Sequence, residues 1–476
     1  MRRTKIVTTL GPATDDPKVL LELVRAGADV VRVNFSHGKV DDHEKRVRLV
    51  SEAAEAAGKY VAVLGDLAGP KIRIDSFVAG KVFLKEGEPF TLDVALDPQA
   101  GTVTAVGCAY KNLPRDVAAG DTLLLNDGNI ALEVTGVEGP RVRTRVIVGG
   151  ELSDKKGINR QGGGLSAGAL TDKDREDIKI AARLGVDYLA VSFARSAADM
   201  EECRNLLRAA GGEGRVVAKI ERAEAIQKLD EIIDASDAVM VARGDLGVEM
   251  GYAELTGLQK TIIQHTRHRN KVVITATQMM ESMIHNPIPT RAEVSDVSNA
   301  VMDGTDAVML SGESAVGKYP VKAVQAMAQV IEGAEKYQLA YSRSRHRDEK
   351  VFQGTDEGIA MAVMYTANHM KVRAIVAITE SGSTTLWMSR IRSDIPIYAF
   401  TRQEATRRRV TLYRGVYPVA FDVLRTEPQS LYPTIFHMLL ELRLVDVGDL
   451  IIVTKGELSG IAGGTNSMQI LRVTRS

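Results

Sequence analysis

The feature that most constrains this chain is a count. Eight short β-rich runs recur with stretches of helical spacing between them, and one long interruption follows the third run. The runs at 5–10, 30–35 and 61–67 alternate with helical segments at 17–26 and 41–57, which stop at Gly27 and Gly58. Glycine ends a helix readily because it enters the left-handed region without a side-chain clash. From about residue 69 to 168 the pattern changes to short β runs at 81–84, 90–94, 122–125, 130–134 and 141–148. Within it, Asn126-Asp127-Gly128-Asn129 reads as a hairpin turn. Alternation resumes with a helix at 173–184 and five further runs at 188–193, 215–220, 238–241, 272–275 and 307–310. Eight β/α units over about 250 residues predict a TIM (β/α)8 barrel. An open doubly wound sheet is the alternative.

The interruption then reads as a small β-barrel domain inserted in the larger barrel. Gly162-Gly163-Gly164 is read as the hinge where it rejoins, since no Lys-Ser/Thr follows as a phosphate loop requires. Beyond a charged break at 341–350, helices at 357–369, 383–391, 404–413 and 429–442 alternate with strands at 374–379, 397–400 and 419–421, and strands at 450–454 and 467–473 close the chain. They predict a C-terminal open-sheet α/β domain. The expected division is 1–69 with 169–342 for the barrel, 70–168 for the insertion and 343–476 for the last domain. A chain of 476 residues needs some such division, because single cores stop growing at about 250–300 residues.

Lys plus Arg and Asp plus Glu number 61 each, which leaves no net field to favour nucleic acid or an anionic membrane as the main partner. No apolar run reaches the ~18 residues of a membrane span, and no apolar segment of a signal peptide follows the basic start. Cys108 and Cys203 are the only cysteines and lie far apart, so two reduced thiols and a cytoplasmic location are expected.

A (β/α)8 barrel concentrates chemistry where its strands end. Those ends here carry Arg32, Asn34 and Ser36; Asp66, then Lys71 and Arg73 beyond a Gly-Pro turn; Lys219 and Glu221; Arg243-Gly244-Asp245; Thr277; and Ser311 with Glu313. Lys219 and Glu221 are two apart and face one side of the pleat. Glu221 and Asp245, from adjacent strands, suit a hard divalent cation that takes its other ligands from water and substrate. A rim ion pair between Lys219 and Glu221 is the competing reading.

Arg32, Arg73 and Lys219 supply positive charge for an anion, as phosphoryl transfer requires. The amides at Gly244 and Asp245 are placed to hold a carboxylate or phosphate if a helix starts there. Asn34, Ser36 and Asp66 offer oxygens for a monovalent cation, with strand-end capping as the plainer role for the first two. Met279, Met280 and Met283 are expected in the core, leaving Thr277 to face a ligand. Ser381, Gly382, Ser383, Thr384 and Thr385 join a strand to a helix start, either as an anion nest or as ordinary capping by Ser383.

Taken together, Val31-Arg32-Val33-Asn34-Phe35-Ser36-His37-Gly38, Lys219-Ile220-Glu221, Met240-Val241-Ala242-Arg243-Gly244-Asp245-Leu246-Gly247, Ala276-Thr277-Gln278-Met279-Met280-Glu281-Ser282-Met283 and Met309-Leu310-Ser311-Gly312-Glu313 resemble the pyruvate kinase family. The opening Lys5 to Pro12 segment fits as well, and the motifs run in family order. The resemblance implies transfer of the phosphoryl group of phosphoenolpyruvate to ADP, giving pyruvate and ATP. It implies Mg2+ or Mn2+ on Glu221 and Asp245, with Lys219 stabilising the transferring group and the enolate. Arg32 then contacts the phosphate with help from Arg73, and Gly244 and Asp245 take the substrate carboxylate. Thr277 lies by the vinyl carbon, and Ser311 and Glu313 match the proton-relay loop. Pro12, Asn34, His37 and Arg73 fall on the nucleotide side, and a homotetramer and allosteric control are implied.

Three departures carry predictions. Leu67-Ala68-Gly69-Pro70-Lys71 places a lysine where potassium-dependent members usually have Glu, so the monovalent site of Asn34, Ser36, Asp66 and Leu67 is expected to work without K+. Ser196 stands where many members have a nucleotide-binding Lys, and Arg195 is the expected substitute. The loop at 456–464 lacks the Trp and Arg that bind fructose 1,6-bisphosphate in some members, so a sugar monophosphate or AMP at residues 381–385 is expected. The rivals are a phosphoenolpyruvate mutase or metal-dependent aldolase on the same barrel, and a catalytically dead metabolite-binding regulator.

Overall fold

The computed structural model describes residues 1–341, 352, 354–456 and 464–475. The break at 341–350 and the loop at 456–464 fall almost wholly outside the described residues. Eight parallel strands close a barrel: β1 (Lys5–Thr9), β2 (Val30–Asn34), β3 (Ala62–Asp66), β4 (Tyr188–Val191), β5 (Arg215–Ile220), β6 (Ala238–Ala242), β7 (Val272–Ala276) and β8 (Ala307–Leu310). They follow one another in sequence order around the ring. The doubly wound alternative is thereby excluded. The strands are almost entirely buried, as expected for parallel strands packed on both faces.

The described chain divides into two compact units, Met1–Gly65 with Leu184–Tyr188 and Thr266–Ser476, and Asp66–Arg183 with Leu189–His265. In the second unit, the inserted segment builds a six-stranded sheet and a separate two-stranded sheet, not one closed barrel. Only single bridges extend these ladders, at Arg73 with Gly157, Ile74 with Cys108 and Phe77 with Gly101. The predicted hairpin turn joins Thr122–Leu125 to Ile130–Glu138, with φ of 52° at Asn126, 55° at Asp127 and 85° at Gly128. Its core includes Ile74, Phe90, Leu92, Leu123 and Leu132. Cys108 and Cys203 are free and buried, and burial pushes their thiols up to about 11 and about 12.

The first unit also contains a five-stranded sheet: β9 (Val372–Ile378), β10 (Ile397–Thr401), β11 (Val416–Ala420), β12 (Leu450–Gly456) and β13 (Thr465–Arg472), in the order β11-β10-β9-β12-β13. Only β13 runs antiparallel to its neighbour. β11 starts three residues before the expected strand and passes through Pro418. An edge strand tolerates the missing N–H, and β11 lies at the edge. The expected helix at 404–413 is α-helical over Glu404–Arg409 and tightens to a 3-10 turn over Val410–Leu412.

Candidate active site

Three residues of the second unit converge on the ammonium group of a fourth. Lys219, next to last on β5, has its Nζ 3.0 Å from Glu221 Oε1 and 3.3 Å from Asp66 Oδ1, and donates to Ser192 Oγ at 2.6 Å. Ser192 donates in turn to the Leu67 carbonyl at 2.8 Å. The other Glu221 oxygen accepts the Phe193 N–H at 2.8 Å. Phe193 holds φ at 57°, a strained conformation for a bulky residue, and this kink lies two residues beyond the end of β4. The Lys219–Glu221 ion pair of the competing reading therefore exists, inside a larger buried network.

Burial is the largest influence on the Glu221 carboxyl and raises it above its ordinary range. Lys219 opposes that rise, while the Asp245 and Asp66 charges add to it. Gly69 permits the network. Its φ is +65°, and a Cβ there would lie 2.8 Å from Ser192 Cβ and 2.9 Å from Phe193 Cδ2.

Asp245 sits in the first turn of the helix Arg243–Met250, which follows β6 without a gap. Its amide and that of Gly244 are among the first-turn N–H groups that have no intrahelical acceptor. The expected helix start is thus in place. Lys71 brings its Nζ to 3.4 Å from Asp245 Oδ1. Arg73 does not join this cluster. Ile72 and Ile74 are buried in the inserted domain, so alternation turns Arg73 outward, where it donates to the Lys155 carbonyl at 2.9 Å.

Arg195 donates to the Ser166 carbonyl at 3.2 Å, and with Ser196, Ser166 and Lys228 it lines an open cavity of about 360 Å3. Ser196 itself caps the helix Ala197–Ala209.

In the first unit, Arg32 on β2 donates to Thr9 Oγ1 at 3.1 Å, and Thr9 Oγ1 donates to the Leu310 carbonyl at 2.9 Å. Asn34 Oδ1 accepts the Ser36 N–H at 3.1 Å, which is the capping role. Pro12, Ser36 and His37 are exposed. After β7, Thr277 and Gln278 hold φ at 73° and 53°, so the chain turns sharply where Thr277 was expected to meet a ligand. Met279, Met280 and Met283 are buried, as anticipated.

Glu313 is buried, and each of its carboxylate oxygens accepts a backbone N–H: Met280 at 3.1 Å and Ser311 at 2.7 Å. Burial raises its carboxyl above the ordinary range, against those hydrogen bonds. It braces the loop after β7 against the loop after β8.

The expected effector loop is narrower than anticipated. Thr384 and Thr385 are buried; the Thr384 hydroxyl pairs with Thr465 Oγ1 at 2.7 Å and the Thr385 hydroxyl donates to the Gly382 carbonyl at 2.7 Å. The helix is capped by Gly382 at φ 85°, not by Ser383. Ser381 and Ser383 stay half-buried and bond to each other at 3.2 Å.

Sequence reasoning missed Ser192 and Glu249. Ser192 stands at the end of β4, the one strand end read without chemistry among the later five, so its position carried a signal. Glu249 carried none, since only packing buries it.

The model of the pyruvate kinase barrel domain matches residues 1–324, and that of the pyruvate kinase alpha/beta domain matches 357–471. This chain belongs to the pyruvate kinase family. It is 54% identical to pyruvate kinase II of Salmonella typhimurium over 477 residues, covering 99% of each chain. It is 53% identical to the pyruvate kinase of Haemophilus influenzae, covering 96% of each. The crystal structure of a pyruvate kinase from Cryptosporidium parvum superposes with a TM-score of 0.90 at 31% identity, covering 99% of this chain and 96% of that one. As a member of this family the chain is a phosphotransferase, moving the phosphoryl group of phosphoenolpyruvate to ADP. None of its described helices is long and apolar enough to cross a membrane.

Proposed function

We propose that Lys219, Glu221 and Asp245 form the chemical centre of this phosphoryl transfer, with Mg2+ or Mn2+ as cofactor. The observation that carries the reading is Lys219 Nζ, held between Glu221 and Asp66 by two buried ion pairs and fixed by Ser192. The donor set fits a hard cation. Glu221 and Asp245 offer carboxylate oxygens, which the ammonium groups of Lys219 and Lys71 face in this structure. Two carboxylates are what a Mg2+-like ion takes when water and substrate complete its shell. When bound, that ion would neutralise charge on the transferring phosphoryl group.

Lys219 holds a fixed ammonium toward the same group and toward the enolate oxygen left after transfer, which lowers the barrier without reorganisation. The Gly244 and Asp245 amides receive the substrate carboxylate, Arg32 its phosphate, and Thr277 the vinyl carbon. Ser311 serves the proton-relay loop, which Glu313 positions. Pro12, Asn34, His37 and Arg195 serve the nucleotide. Arg73, turned out toward Lys155, takes a nucleotide-side role in this reading and not a catalytic one.

Lys71 supplies a tethered positive charge 3.4 Å from Asp245. Turnover is accordingly independent of K+, although Asn34, Ser36, Asp66 and Leu67 remain. A sugar monophosphate or AMP acts at Ser381, Ser383 and the neighbouring backbone. The barrel, insertion and C-terminal divisions at 1–69 with 169–342, 70–168 and 343–476, a homotetramer and a cytoplasmic setting complete the reading.

The test is a coupled assay of ATP formation in K+-free buffer, with Lys219→Met beside the parent chain. Removing one preorganised donor to a developing oxyanion costs about 10²–10³ in kcat. Undiminished turnover in Lys219→Met refutes the assignment, and trace turnover of the parent without K+ refutes the role of Lys71.

A further inference from the structure

In the second unit, the Lys219 ammonium is held by chain that is about to leave for the inserted sheets. Asp66 Oδ1 lies 3.3 Å from its Nζ, and the Leu67 carbonyl fixes Ser192 Oγ, to which the ammonium donates. Both contacts therefore depend on where the backbone runs at 66–67. The Leu67 N–H is anchored on the Ala190 carbonyl at 3.0 Å. Beyond it the path turns sharply. Gly69 holds φ at +65°, its carbonyl accepts the Lys71 N–H at 3.0 Å, and Pro70 has no N–H to offer. By Ile72 the chain belongs to the inserted segment, since its carbonyl accepts the Ile158 N–H at 2.9 Å.

Between these two anchors the backbone is pinned by Asp174. This residue lies in the first turn of the helix Asp172–Arg183 and is 0% exposed. Its Oδ2 accepts the Thr171 N–H at 2.8 Å and Thr171 Oγ1 at 2.6 Å, and its own N–H donates back to Thr171 Oγ1 at 3.1 Å. That reciprocal pair is a capping box, and one carboxylate oxygen serves it completely. The second oxygen is engaged elsewhere: Oδ1 accepts the Gly69 N–H at 3.0 Å, from a residue 105 positions away. Gly69 precedes the inserted β segment and Thr171 follows it, so a single buried carboxylate ties both connections. Charge-assisted bonds of this kind are roughly twice as strong as neutral ones, which suits a pin.

We propose that Asp174 is a positioning residue for the phosphoryl transfer: it sets the turn at 66–71 and, through Asp66, Leu67 and Ser192, the place of the Lys219 ammonium. The proposal rests on the reading of Lys219 as the group that stabilises the transferring phosphoryl. Asp174 itself touches no reacting group. The same turn carries Lys71, whose Nζ reaches Asp245 at 3.4 Å. An amide cannot replace the carboxylate, although it has nearly the same volume. Its NH2 has no lone pair and would oppose either the Gly69 or the Thr171 N–H, so Asp174→Asn releases one of the two connections.

Steady-state kinetics of the full chain, in a double-mutant cycle with Lys219→Met, test this. Asp174→Asn alone should lower kcat about tenfold or more, within the ~10²-fold that a 1 Å misplacement can cost. KM for phosphoenolpyruvate should hold, because losing a contact made in the transition state lowers kcat and kcat/KM together. In the Lys219→Met background the same change should cost less than about twofold, since its route to the chemistry is already cut. A purely structural Asp174 gives equal losses in the two backgrounds, or a lowered thermal midpoint with kcat intact, and either result overturns the proposal. Undiminished turnover in Lys219→Met refutes the reading of Lys219 and this proposal with it, whereas equal losses beside an impaired Lys219→Met refute the proposal alone. If Asp174→Asn fails to fold, Asp174→Glu runs the same cycle with the same non-additivity expected: it keeps both acceptors, and its extra methylene displaces the Gly69 turn.

Discussion

Replacing Glu249 by Gln should remove one component of the pH dependence of this chain's stability. Glu249 lies in the last turn of the helix Arg243–Met250 and is 3% exposed. Its Oε2 accepts the Ala223 N–H at 3.0 Å, its Oε1 accepts from Asn159 Nδ2 at 3.3 Å, and its own carbonyl accepts the Gly162 N–H at 2.9 Å. Burial lifts the carboxyl from its ordinary 4.5 to about 7, against the smaller opposing effects of the Ala223 amide, Arg222 and Asn159. Each tenfold change in proton affinity is worth about 1.4 kcal/mol, so ionising this group in the folded chain costs about 3 kcal/mol.

The sign follows from which state keeps the proton. Below pH 4.5 both states are protonated and the stability is complete. Between 4.5 and 7 the unfolded chain releases its proton first, so stability falls as pH rises, and above 7 the loss is fully developed. Gln keeps the acceptor for Ala223 and can meet Asn159 through a turned amide, without ionising. Denaturant unfolding of both proteins from pH 4 to 8 should show a difference that grows to about 3 kcal/mol in favour of Glu249→Gln. A difference of the same size at pH 4.5 and pH 8 would refute the reasoning.

Gly69→Ala should cost about 1–2 kcal/mol from its positive φ alone. Because the new Cβ meets Ser192 and Phe193, kcat should fall while a Gly80→Ala control keeps its activity; equal kcat in the two would argue against the role of Gly69. Asp306→Asn breaks a buried pair whose side chains are 0% and 5% exposed, and should lower stability by about 3–5 kcal/mol, read as a drop in thermal midpoint. Glu313→Gln removes one of the acceptors that brace Met280 and Ser311. It should lower kcat with little change in the binding of phosphoenolpyruvate, and an altered Kd with intact kcat would count against a positioning role.

The barrel was legible because its determinant is local. Each β run is short, apolar and bounded by turn residues, and the repetition of this unit is visible in the chain without any long-range contact. The strand-end residues were legible for the same reason: Lys219, Glu221 and Asp245 break an apolar pattern at positions where a core needs apolar residues. The sheet beyond residue 371 was read with edges shifted by a few residues, because Pro418 looks like a breaker until the strand order shows β11 at an edge. The inserted strands gave no sign that they would form two sheets, since pairing between strands depends on residues far apart in sequence.

Sequence by itself determined the identity and order of the charged residues at the strand ends, Lys219, Glu221 and Asp245 among them. Tertiary structure alone decided how those charges are used. It turned Arg73 outward, drew Thr384 and Thr385 inward, and gave Lys219 two carboxylates and a serine. The physical reason is that a side chain's charge is a property of its residue, whereas its burial, its partners and its proton affinity are properties of what the fold brings against it.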